Sequence, residues 1–318
     1  MMKSKKMKIF GSSILLLFVL TTLSFVRGQE RVITTGVPFL LITPDARAAG
    51  MGELGVATSP DSYAQQWNPA KYAFSESNSG LGLSYTPYLR QLVDDIFLGS
   101  LTYYNKLNDR SAWASSLKYF SYGNVQFNNM MSGTIIDQGS KRPNEITLDL
   151  SYSLKLSEKF SMAVAGRFLR SDLKIHTDID ATSANSLGVD IAGFYQGSPF
   201  GLGNNDARFR GGFNISNIGP RLKYDEGGQM DFIPTNLKIG SGMDLIFDSS
   251  NILGIHLEFS KLLVPTPVAF YDNNNQQLGY RQPDVNFFNG IFKSFNDAPG
   301  GFDEELKEIT WALGLEYL

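Results

Sequence analysis

The chain contains no cysteine. A disulfide framework, a thiolate metal site and a cysteine nucleophile are therefore excluded. It has two histidines, His176 and His256, and no H-E-x-x-H run, so no zinc signature can be assembled. Asp178 and Asp180 stand two apart in "TDIDATSANS" without the rest of an EF-hand loop, and no calcium site is expected there. Gly50, Gly52 and Gly55 follow no strand of a βαβ unit, which removes phosphate binding. Basic runs are absent and the net charge is −3, so nucleic acid meets no electrostatic footprint. His256, Glu258 and Ser260 share one strand face, but same-face spacing is not a triad. His256 is read as a histidine solvated within a lumen. No enzyme, catalytic residue, metal or cofactor is assigned.

Past the N-terminus, no apolar run reaches the roughly 20 residues of a membrane helix. The N-terminus itself has Lys3, Lys5, Lys6 and Lys8, then an apolar core over residues 14–20, then small and polar residues to Gly28. This reads as a secretory signal over residues 1–28, cleaved near residue 28. No cysteine follows it, so no lipoprotein anchor is expected.

What the chain does have is alternation. In "TLDLSYSLKLSEKFSMAVAGRFL" (147–169), Leu148, Leu150, Tyr152 and Leu154 alternate with Thr147, Asp149, Ser151 and Ser153. Ser157, Glu158 and Lys159 interrupt, and alternation resumes with Phe160, Met162, Val164 and Phe168. Ten such stretches are predicted as strands: 81–88, 95–106, 112–121, 145–156, 160–172, 187–196, 208–217, 236–247, 252–262 and 308–318. Their polar faces carry Asp149, Lys155, Arg167, Lys238, Asp244, His256 and Glu258. Short turns at 108–110, 157–159 and 248–251 alternate with long connections at 122–144, 173–186, 218–235 and 263–307. Short periplasmic turns and long external loops sort this way in outer-membrane barrels. Residues 89–94 are shorter, and 197–207 longer, than that rule requires. The fold predicted is all-β: a transmembrane antiparallel barrel over residues 80–318, with lipid against its apolar face and a polar lumen. Strands of about ten residues, tilted, match the bilayer core.

Residues 29–79 do not read as wall. Asp45 opens a short helical turn containing Arg47, and Ser59-Pro60-Asp61 signals a helix start. That helix, containing Trp67, should end at Asn68-Pro69. These short helices predict a plug in the lumen, a small periplasmic extension being the alternative. In the longest connection, Phe288, Phe292 and Phe295 fall near helical spacing, predicting a short amphipathic helix over the barrel mouth.

Several segments carry a resemblance. "ITTGVPFLLITPDARAAGMGELGVATSPDSYAQQWNPAKYAF", "SYSLKLSEKFSMAVAGRF", "VDIAGFYQG", "NISNIGPRLKYD" and "LEFSKLLVPTP" are similar to segments of the PorV family of the type IX secretion system. Asn68-Pro69-Ala70 is similar to the wider FadL family of transport barrels. The resemblance implies a FadL-like barrel of about fourteen strands with an N-terminal plug. Ten strands are legible and the chain stops at Glu316-Tyr317-Leu318. Further strands are expected beyond it, a smaller closed barrel being the alternative.

The resemblance further implies an outer-membrane shuttle. It would take the C-terminal signal domains of exported cargo from the translocon barrel to an attachment complex containing the sortase-like subunit PorU. Tyr122, Phe127, Phe270, Tyr271, Phe288, Phe292 and Phe295, on the long connections, are the expected contacts. The competing reading is a FadL-type channel for small hydrophobic molecules.

Overall fold

A computed structural model describes residues 32–131, 134–174, 182–225, 228–272 and 274–318. The signal segment, His176, Asp178 and Asp180 lie outside the described residues. The strands are β1 Ser79–Pro87, β2 Ile96–Lys106, β3 Ser111–Tyr122, β4 Val125–Met131, β5 Thr134–Lys141, β6 Asn144–Lys155, β7 Phe160–Asp172, β8 Ala184–Gln196, β9 Phe200–Leu202, β10 Asn205–Ile218, β11 Asn236–Asp248, β12 Asn251–Leu262, β13 Val268–Tyr271, β14 Gln277–Arg281 and β15 Ile309–Tyr317. The helices are α1 Ala46–Gly50, α2 Ala64–Trp67, α3 Phe287–Lys293 and α4 Phe302–Glu305. Among the described residues no helix is long and apolar enough to cross a membrane.

Ten long strands build one antiparallel sheet in the order β1-β2-β3-β6-β7-β8-β10-β11-β12-β15, with β9 added beside β10. It is open: β1 and β15 are its edges. All ten alternating stretches of the sequence are strands of this sheet. Register follows from the alternation, since a one-residue slip would exchange the faces. Leu148 faces Phe168, and Tyr152 faces Val164. Leu148, Leu150 and Tyr152 are between 49% and 60% exposed, whereas Asp149, Ser151 and Ser153 are at most 3% exposed. Apolar side chains stand outward and polar ones are covered, the reverse of a soluble sandwich.

The cover is the N-terminal segment. Asp45 caps α1 by accepting from the Ala48 N–H at 2.8 Å. The helix expected from Ser59-Pro60-Asp61 starts later, at Ala64. Asp61 is engaged in a local turn instead, accepting from the Tyr63 N–H at 2.9 Å. Asn68-Pro69 ends α2 as expected, yet the chain then forms a 3-10 stretch, Pro69–Phe74. Proline is tolerated at the first helical position, and Asn68 accepts from the Ala70 N–H at 3.0 Å. Two glycines let the segment touch the sheet. A Cβ on Gly212 would lie 2.5 Å from the Val56 carbonyl oxygen, and one on Gly240 would lie 2.6 Å from Val56 Cγ1. At the long-connection end, Val37, Phe39 and Leu40 pack with Leu98, Phe120 and Leu169 as an apolar core.

Three connections hold strands that the alternation did not predict. β4 pairs with β5 within 122–144, and β13 with β14 within 263–307. The long turn at 197–207 is itself a hairpin, with Phe200–Leu202 folded back on residues 205–207. These strands are short, and most stand on no buried face that would impose alternation.

Candidate functional site

The polar face of the sheet and the N-terminal segment form one hydrogen-bonded unit. Arg47, on α1, reaches the last described strand. Its Nε and Nη2 donate to the two Glu316 oxygens at 2.8 and 2.7 Å, and its Nη1 to Asp61 at 2.6 Å. The fork matches the carboxylate bidentately. Glu316 also meets His256 Nε2 at 3.1 Å. His256 is only 2% exposed, so the expectation of a solvated histidine is corrected: the N-terminal segment covers it.

Glu258 accepts from the Gly55 and Val56 N–H groups at 2.8 and 2.9 Å, and pairs with Lys238 at 2.7 Å. Trp67 Nε1 donates to Asp45 at 2.8 Å. Asn68 Nδ2 donates to the Val56 and Gly193 carbonyls at 2.9 and 3.0 Å, joining segment to sheet. Pro69 opens the 3-10 stretch. Lys71 is fully buried and donates to the Gly55 carbonyl at 2.8 Å and Thr58 Oγ1 at 3.0 Å. Burial pulls its pKa down to about 8.

A second cluster lies on β6, β7 and β8. Arg167 donates to Asp149 at 2.5 Å, to Asp190 at 3.1 Å, and to the Asn217 side chain. Asp149 accepts from Ser116 Oγ at 2.7 Å and Asp190 from the Asn217 N–H at 2.7 Å. Asn217 has φ 60°, at the point where β10 slips against β8. The bulge re-aims its side chain inward. Lys155, also on the polar face, caps the Phe74 ring at 4.6 Å. Among the described residues no three acidic or histidine side chains gather as a metal site requires.

The structure brings Asp45, Arg47, Trp67, Asn68 and Pro69 together in this unit. The aromatic residues chosen on the long connections are spread over β3, β4, β13 and the region of α3. Phe288, Phe292 and Phe295 lie on or just beyond α3 and are 58%, 76% and 50% exposed. Asn286 caps that helix through the Asn289 N–H at 2.8 Å. Phe270 and Tyr271 sit on β13, Phe270 partly covered and Tyr271 exposed, and Phe127 lies partly covered on β4. Tyr122 turns inward: its hydroxyl donates to Glu145 at 2.7 Å and its ring lies 4.7 Å from that of Phe120. Alternation could have shown this, because Tyr122 follows Lys118 and Phe120 on the covered face. Glu316, Lys71 and Asn217 are the structural participants that spacing alone did not single out.

The loops are anchored to the same unit. Gly36 N–H donates to the Phe232 carbonyl at 2.9 Å, and Gln282 joins the Phe232 N–H at 3.0 Å to the Thr34 carbonyl at 2.5 Å. Arg221 pairs with Asp284 at 3.0 Å, linking two of the long connections. Such an arrangement can hold a rigid surface for binding.

Among solved structures, the chain is similar to the TodX monoaromatic hydrocarbon channel deltaS2 mutant, at 12% identity over 74% of this chain and 75% of that one, TM-score 0.43. It is also similar to the P. putida toluene transporter TodX, at 12% identity over 73% and 74%, TM-score 0.41. A Pseudomonas aeruginosa FadL homologue aligns at 11% identity over 90% and 77%, TM-score 0.39. No curated protein matches. The family described as type IX secretion system protein PorV matches residues 25–269, well over half of the sequence. The chain belongs to that family, the PorV proteins of the type IX secretion system.

Proposed function

We propose that this outer-membrane protein receives exported cargo by its C-terminal signal domain and passes it from the translocon barrel to the attachment complex that contains PorU. In this reading residues 1–28 are removed as a signal. Residues 80–318 contribute to a membrane-spanning barrel, and residues 29–79 plug it. The observation that carries the proposal is the aromatic face of α3, with Phe288 and Phe292 exposed on a capped helix whose loop is tied to the N-terminal segment. Exposed aromatics on a rigid support are what protein interfaces use as anchors. Tyr271, on β13, offers a second anchor in the same connection.

The channel reading is disfavoured by how fully the polar face is occupied. The cavity between Trp67, Arg167 and Asn217 holds about 20 Å³, room for about one water. The test is capture of a cargo C-terminal signal domain by the purified protein in detergent, before and after deletion of residues 287–295. Loss of capture with intact heat-modifiable mobility supports the proposal. Undiminished capture removes α3 from it, and uptake of a labelled fatty acid by reconstituted protein would replace it with conduction.

A further inference from the structure

An apolar groove of about 240 Å³ lies on the outward side of the sheet, at the long-connection end. Its floor is made by Leu237, Ile239 and Phe259, residues of the outward face of β11 and β12. Its roof is made by Phe295, Phe302 and Leu306, from the connection between β14 and β15. That connection therefore overhangs the outside of the sheet.

The roof is held by an ion cluster. Lys261 is two positions beyond Phe259 and faces outward, where a lone cation would be costly against hydrocarbon. It pairs with Glu305 at 3.0 Å and Glu308 at 2.6 Å. Glu305 also accepts from the Asp297 and Ala298 N–H groups at 2.7 and 2.9 Å, and Glu308 from Thr266 Oγ1 at 3.1 Å. These bonds hold Glu305 below the usual carboxylate range, with Lys261 adding to the effect. The groove is thus preformed, and no loop needs to be ordered when it fills.

We propose that the groove seats one acyl chain of an outer-leaflet membrane lipid. The floor is continuous with the apolar face of Trp311 and Leu313 on β15, next to β12. Hydrocarbon is the medium that reaches it from the side. A peptide segment would bring backbone polar groups that need partners. The polar groups at the groove are already bonded: Lys261 to its glutamates, and Ser260 to Asn236 at 2.9 Å. Phe295 then has a lipid neighbour, while Phe288 and Phe292 are left for protein.

This inference rests on the outward face meeting lipid, and its test separates the two. The mature full chain is reconstituted in phosphatidylethanolamine vesicles doped with the same lipid carrying a diazirine near the acyl terminus. After irradiation, labelled peptides are mapped. Label should appear on residues 294–308 as well as on the belt around Leu148 and Leu150. Leu306→Trp, which fills the groove, should reduce roof labelling about tenfold, equivalent to about 1.4 kcal/mol, with belt labelling unchanged. Phe302→Ala, which opens the roof without adding bulk, should reduce it as well. Belt labelling without roof labelling, or roof labelling indifferent to both variants, overturns the acyl seat alone. Absence of label from the belt overturns the membrane reading with it.

Discussion

Replacing Arg167 with methionine tests whether the covered face is held by paired charge. Arg167 is 5% exposed, and the side chains of its partners Asp149 and Asp190 are each 1% exposed. Truncating the guanidinium removes the cation bonded to both buried carboxylates and leaves Lys118, itself buried nearby, as the remaining positive charge. Breaking a buried ion pair from one side destabilises by about 3–5 kcal/mol. At about 1.4 kcal/mol per decade, that is a loss of two to three and a half decades in the folding equilibrium. The carboxylates keep their bonds from Ser116 and the Asn217 N–H, which places the effect toward the lower end. The triple variant Arg167→Met, Asp149→Asn, Asp190→Asn removes the three paired charges, Asn keeping an acceptor for each of those donors, and leaves Lys118 bonded to Gln66. It should recover part of the loss. Urea titration in detergent micelles, followed by the mobility of unboiled samples and by tryptophan fluorescence, reads both variants. If Arg167→Met lies within about 1 kcal/mol of the parent, or the triple variant is no better than the single one, the reasoning fails.

Gly212→Ala should push residues 51–58 off the sheet, since the new Cβ meets the Val56 carbonyl oxygen at 2.5 Å. Overpacking of this kind destabilises by about 1–3 kcal/mol, and new tryptic cleavage after Arg47 in detergent would report it. Lys71 gives a pH dependence. Its folded pKa of about 8 lies below the unfolded 10.5, so the unfolded chain binds more protons between those values. Stability should therefore rise by about 3 kcal/mol from pH 8 to pH 10.5, and this contribution should be absent and flat below pH 8, where both states hold the proton. Lys71→Met should flatten that window in urea titrations at several pH values; an unchanged slope would assign it to other groups.

The ten long strands were legible because each has one outward and one covered face, and the period-2 pattern records that directly. Leu148 and Asp149 could not exchange faces without placing a carboxylate outward and a leucine against Ser116. The helix of the longest connection was legible for the same reason at a different period, with Phe288, Phe292 and Phe295 on one side. The short hairpins β4–β5 and β13–β14 were not: each pairs only within itself, and no buried face sorts the residues of β13–β14. The N-terminal segment was read as helical pieces, but its seating depends on Gly212 and Gly240, where the absent side chain is the signal. Lys71 and Asn217 stayed hidden because their roles come from backbone: a carbonyl at Gly55 and a bulge in β10. Tyr122 was misplaced by drawing the strand boundary one residue early, which turned an inward position into a loop position.

The Arg47–Glu316 contact joins residues 269 apart in the chain. Contacts of such separation form late, after intervening loops have closed. A polypeptide emerging from its N-terminus must keep Arg47 waiting until β15 has been made. An intermediate halted before β15 would still seat Asn68 on β8 and Gly55 on β12, but Arg47 would lack its carboxylate partner on β15.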